Sequence, residues 1–103
     1  MRFFLDASGC PNIEANNDFR ILTDFIKDDI QRSIYGVDEF IKACELVKSG
    51  ALPFWEGTGN SHTVTIKPNS VEIFNEYTEE VMGISSINEF EGYLKKWKLL
   101  ISN

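Results

Sequence analysis

Alternation of apolar and polar residues is cleanest between Ser61 and Lys67. Val64 and Ile66 fall on one side with His62, while Thr63, Thr65 and Lys67 fall on the other. Side chains along a strand alternate with a period of two, so this segment is expected as a β-strand with one buried face. Lys67-Pro68-Asn69-Ser70 then supplies a turn, with Pro presetting φ at its second position. Val71 to Tyr77 is the expected partner strand, with Val71 and Ile73 inward and Glu72, Phe74 and Glu76 outward. Phe54 to Glu56 extends into a turn at Gly57-Thr58-Gly59-Asn60, and a further strand is expected from Glu80 to Ile84.

The flanking regions carry helical spacing instead. Phe19, Leu22, Phe25, Ile26 and Ile30 form an apolar stripe from Asp18 to Arg32, with Asp24, Lys27, Asp28 and Gln31 on the other face. Ser33-Ile34-Tyr35-Gly36 breaks that stripe. Asp38 is expected to cap a second helix bearing Phe40, Ile41, Cys44 and Val47, which Ser49-Gly50 ends. The short connection predicts that these two helices lie against each other as a hairpin. Ser86-Ile87-Asn88-Glu89 is a capping box, and Ile87, Phe90, Leu94, Trp97 and Ile101 continue from it at helical spacing. At the start, Arg2 to Leu5 predicts a short strand, followed by a polar connection over residues 9–17.

Clustered strands with helices before and after predict an α+β fold. The expected architecture is an antiparallel sheet of three to five strands, with two N-terminal helices and one C-terminal helix packed on it. At 103 residues the chain is a single domain by length. Eight Phe, two Trp and three Tyr supply the bulk for a core.

Charge narrows the functional classes. With 16 acidic and 10 basic residues the net charge is −6, which argues against nucleic-acid binding, because that requires a basic face to displace counterions. A basic protein partner is the complementary expectation. No apolar run approaches the length needed to span a bilayer. The opening MRFFLDAS lacks the features of a secretory signal, so a cytoplasmic protein with reduced thiols is expected.

Conventional site chemistry finds little support. Cys10, Cys44 and the single His62 offer no zinc-ligand spacing, and no metal or cofactor is expected. His62 has no recognisable nucleophile or carboxylate partner in sequence and is expected to be structural. The glycines of Gly57-Thr58-Gly59-Asn60 open a strand rather than a helix, unlike those of phosphate-binding loops. Asp28-Asp29 and Glu79-Glu80 are adjacent pairs, and neighbouring side chains diverge too far to converge on one cation. A non-enzymatic role follows as the expectation.

The stretch from Pro68 to Leu94 differs in kind. It contains Glu72, Glu76, Glu79, Glu80, Glu89 and Glu91 and no Lys or Arg, with Phe74 and Tyr77 interleaved. Aromatic anchors among steering charges fit a surface for protein recognition. In the same region, Trp55, Gly59-Asn60-Ser61-His62-Thr63-Val64-Thr65-Ile66, the Pro68-Asn69 turn, Val71-Glu72-Ile73-Phe74-Asn75-Glu76-Tyr77 and the closing Ile84-Ser85-Ser86 carry a resemblance. They resemble small immunity proteins of bacterial contact-dependent growth inhibition loci, the CdiI type. The resemblance covers the C-terminal half, and the N-terminal helices match in arrangement.

It implies a cytoplasmic, non-enzymatic protein that binds a cognate toxin domain one to one and occludes its active site. The toxin would be a basic nuclease, a ribonuclease ahead of a deoxyribonuclease. The resemblance carries over no binding residue by position. Trp55, Gly59 and Asn60 are expected to maintain the hairpin. From charge and parity, the expected contact residues are Glu72, Phe74, Glu76, Tyr77, Glu79 and Glu80, with Asp24, Asp28 and Asp29 as a second acidic patch. The alternative expectation is a small acidic regulatory or adaptor domain that binds another protein.

Overall fold

The structure is a computed structural model and describes residues 1–102. Two strands, β1 (Arg2–Leu5) and β2 (Pro11–Glu14), pair as an antiparallel hairpin. A 3₁₀ turn at Asn17–Phe19 leads into α1 (Arg20–Phe25), which widens into a π-helical turn at Ile26–Ile30. Next comes α2 (Ile34–Lys48), then β3 (Trp55–Thr58), β4 (His62–Lys67), β5 (Ser70–Asn75) and β6 (Val81–Ile84). The chain ends in α3 (Ile87–Ile101).

β3 to β6 form a four-stranded antiparallel meander, and the fold is α+β. Register places Trp55 opposite Ile66, Val64 opposite Ile73, and Val71 opposite Ile84. Val64, Ile66, Val71, Ile73 and Ile84 are therefore on one face, and all are buried. The helices supply the other half of the core with Leu22, Phe25, Ile26, Ile30, Val37, Phe40, Cys44, Phe90, Leu94 and Trp97. Phe25 is its hub, meeting Phe40 edge-on at 5.1 Å and lying 6.3 Å from Phe90. No helix among the described residues is long and apolar enough to cross a membrane.

Several local expectations are corrected. The polar connection over residues 9–17 contains β2, whose Ile13 pairs with Phe3 and is buried. Pro11 is tolerated because it opens the strand, where a missing N–H costs little. α2 begins at Ile34, not after Asp38: Ser33 is the N-cap, and its Oγ accepts the Gly36 N–H at 2.9 Å. Gly36 thus lies in the first turn, where N–H groups have no intrahelical partner anyway.

The first helical segment stops at Ile30, because Gln31 turns to φ 55° and its carbonyl accepts the Trp97 Nε1–H at 2.7 Å. α2 packs chiefly along α3 rather than along α1, which lies over β5. β3 takes in Gly57 and Thr58, so the tight turn to β4 is confined to residues 59–61, and β5 ends at Asn75.

Candidate functional site

All three helices pack on one face of the meander, and among the described residues no layer covers its other face. Cross-strand register lays that face out in rows: Thr58, Thr63, Phe74 and Val81, then Glu56, Thr65, Glu72 and Gly83, then Lys67 beside Ser70. None of these residues is buried, and Val81 is 58% exposed. A half-wet antiparallel sheet alternates apolar-in with polar-out, as this one does, apart from Phe74 and Val81. Those two are neighbours on the open face.

The carboxylates on this face are held in place by hydroxyls. Thr63 Oγ1 donates to Glu76 Oε2 at 2.8 Å, and Thr65 Oγ1 donates to Glu56 Oε2 at 3.0 Å. Glu72 lies 3.8 Å from Lys67 Nζ, a loose exposed pair. Sequence reasoning missed Glu56 and Val81. Strand parity would have found both once β3 and β6 were placed in register.

At one end of the face lies the turn from Asn75 to Glu80. Asn75 Oδ1 accepts the Tyr77 and Thr78 N–H groups at 2.9 and 3.1 Å, and the Glu79 N–H returns to the Asn75 carbonyl at 2.8 Å. Glu79 takes φ 63° to close the turn. Tyr77 stands 79% exposed at its crown. Glu80 is held by Arg20 Nη2 at 2.6 Å, and Arg20 Nη1 lies 3.8 Å from Asp24. The Arg20 guanidinium, with help from the Thr78 hydroxyl, keeps the Glu80 carboxyl below the usual carboxylate range.

Glu72 and Phe74 thus share the open face with Glu76, which Thr63 holds, while Tyr77, Glu79 and Glu80 lie in the adjoining turn, where Arg20 links Glu80 to Asp24. Asp28 is exposed, and its carbonyl accepts the Asn60 side-chain N–H at 3.1 Å beside the β3–β4 turn.

Asp29 departs from the outward patch in which it was expected. Its side chain is only 1% exposed. The carboxylate accepts the Ser61 N–H at 3.1 Å, the His62 N–H at 2.9 Å and the Ser61 hydroxyl at 2.9 Å. It is committed to holding the β3–β4 turn, and an incoming partner cannot reach it. Its position three and four residues after Ile26 and Phe25 places it on the inward stripe, a signal present in the sequence. Glu91 is likewise inward: its side chain is 4% exposed, and it pairs with Lys48 from α2 and, at 3.6 Å, with Lys95. The acidic run therefore splits between the sheet and the helix layer.

Ser61, His62 and Asp29 are together, but not in a catalytic order. A nucleophile–base–orienter line needs the hydroxyl and the carboxylate on opposite ring nitrogens. Here Ser61 Oγ lies 2.9 Å from His62 Nδ1 and Asp29 Oδ1 lies 3.4 Å from the same atom, while Nε2 faces the Asn75 amide. Among the described residues, no group of three or more His, Cys, Asp or Glu side chains could hold a metal. Comparison with protein-family models, curated proteins and solved structures gives no match to this chain.

Proposed function

We propose that this chain is an immunity protein of the contact-dependent growth inhibition kind. It binds a cognate toxin domain one to one in the cytoplasm and blocks it by steric and electrostatic occlusion. The observation that carries this reading is the open sheet face: half-buried Phe74 and exposed Val81 lie side by side on it, with Glu72 and Glu56 in the next row, Glu76 held by Thr63, and Tyr77 exposed at its end. Apolar residues left on an open face beside carboxylates fit a protein-binding surface, and the sign of the charge fits a basic partner such as a nuclease groove. The resemblance of the same stretch to CdiI-type proteins points in the same direction.

The test is co-expression with the toxin domain encoded next to this gene. Cells producing the wild-type chain should grow. Cells producing a folded Glu72→Lys/Glu76→Lys/Glu80→Lys chain should stop growing, and the purified pair should lose its complex at low salt. Unchanged protection by the reversed chain would move the contact surface elsewhere. A neighbouring gene without toxic activity would remove the reading altogether.

A further inference from the structure

His62 is 1% exposed, and both of its ring nitrogens are engaged. Asn75, its register partner on β5, fixes where the ring proton sits. The Asn75 Oδ1 is taken by the Tyr77 and Thr78 N–H groups, so the amide NH₂ is the end that meets His62 Nε2, at 3.5 Å. An amide N–H only donates, so Nε2 accepts and the proton is on Nδ1. From there the donors run one way, Nδ1–H to Ser61 Oγ at 2.9 Å and Ser61 Oγ–H to Asp29 Oδ1 at 2.9 Å.

We propose that His62 is a proton-operated lever on the Asn75–Glu80 turn, in which a second ring proton turns over the Asn75 amide and frees the Tyr77 and Thr78 N–H groups. A proton on Nε2 would face the Asn75 NH₂, setting donor against donor in a buried site. Rotating the amide brings Oδ1 to Nε2–H and restores that bond. The same rotation turns NH₂ toward Tyr77 and Thr78, whose N–H groups cannot accept it, and both turn bonds are lost.

The groups facing the ring are Asp29 from the π-helical turn, the Phe25 ring from α1 at 6.0 Å, Asn75 from β5 and the adjoining Ser61. Asp29 is the charged one among them. The outer bonds of the turn, from the Asn75 N–H to the Glu80 carbonyl and from the Glu79 N–H to the Asn75 carbonyl, do not involve the amide and persist. The crown bearing Tyr77 therefore loosens while β5 and β6 stay paired. Its consequence for binding rests on the docking reading above: acid would weaken the complex at Tyr77.

The experiment is an NMR titration of the full chain, following the His62 ring and the backbone amides. The Tyr77 and Thr78 amides should shift with the ring's own midpoint, and their protection from solvent exchange should drop about tenfold, while Val64 and Ile73 stay unchanged. Asn75→Asp should abolish the response. Its carboxylate accepts from the two amides and from Nε2–H together, so protection persists into acid.

Amides indifferent to the ring titration would overturn the lever. So would an Asn75→Asp chain that loosens like the wild type, or acid unfolding that precedes any ring titration. If the amides respond but partner affinity does not, the lever stands and the docking reading fails.

Discussion

Gly59 stands so close to Asp29 that a β-carbon there would sit 2.7 Å from Oδ2. The carboxylate cannot retreat, because the Ser61 and His62 N–H groups are bonded to it. Gly59→Ala should therefore destabilise the fold by about 1–3 kcal/mol, chiefly by pulling those bonds apart. Asp29→Ala should cost a similar amount. In the double variant the two penalties should fall short of their sum, since the clash vanishes with the carboxylate. Urea denaturation of the four chains checks this, and strict additivity would contradict it.

Tyr77 and Glu72 separate folding from binding. Tyr77 is 79% exposed and Glu72 makes only a loose ion pair, so Tyr77→Ala and Glu72→Lys should each leave stability within about 0.5 kcal/mol. With the partner bound, Tyr77→Ala should cost about 2 kcal/mol through faster dissociation, as for an aromatic that a partner buries. Glu72→Lys should act mainly on the association rate, and more strongly at low salt. Stopped-flow kinetics over a salt series distinguishes the two.

Alkaline pH should find a weak point at Cys44. Burial, with the Glu91 charge adding to it, pushes its thiol from 9.0 up to about 12. The folded state thus holds this proton where the unfolded chain releases it. The stabilisation is complete below pH 9 and is lost as pH rises toward 12, at up to about 1.4 kcal/mol per pH unit. Tyr93, raised from 10.0 to about 12 by burial and by its bond to Glu89, adds to the loss above pH 10. Cys44→Ala should flatten the slope between pH 9 and 10. At neutral pH a thiol reagent should label exposed Cys10 rapidly and reach Cys44 only after unfolding.

The Lys48–Glu91 pair ties α2 to α3. Lys48 Nζ donates to Glu91 Oε1, while Glu91 Oε2 has no hydrogen-bond partner among the described residues and lies 3.6 Å from Lys95 Nζ. The bond to Glu91, and after it that to Glu45, holds the Lys48 ammonium above its usual range. Lys48→Met should strand the buried carboxylate and cost about 1–3 kcal/mol. Pairing it with Glu91→Leu should recover most of the loss, because an apolar contact replaces a costly buried charge. Thermal melts of the single and double variants test this.

Where local chemistry decided the structure, the sequence foretold it. Val64, Ile66, Val71 and Ile73 are inward by simple alternation. Ser86 caps α3 as the Ser-x-x-Glu pattern requires, its Oγ accepting the Glu89 N–H at 3.0 Å. Distant partners decided the rest. Gln31 ends the first helical segment because Trp97, far along the chain, bonds its carbonyl. The inward position of Asp29 was legible from its spacing to Phe25 and Ile26, but its bonds to Ser61 and His62 came only with the β3–β4 turn folded onto it. Gly36 looked like a helix breaker, but the Ser33 cap places it in the first turn, where glycine is tolerated. The outward placement of Glu72, Phe74 and Glu76 was legible from parity, whereas the link from Glu80 to Asp24 needed Arg20 to join two separate elements.

The one-sided packing of the meander has a consequence for how this surface can change. Glu56, Glu72, Phe74 and Val81 lie on the face away from the core, so substitutions there disturb little that the fold depends on, while their neighbours at Ile66, Val71, Ile73 and Met82 anchor the strands from behind. On the docking reading proposed above, recognition and foldability fall to alternate residues of the same strands. A lineage under pressure to meet a new partner could rewrite every second position and still inherit an intact scaffold.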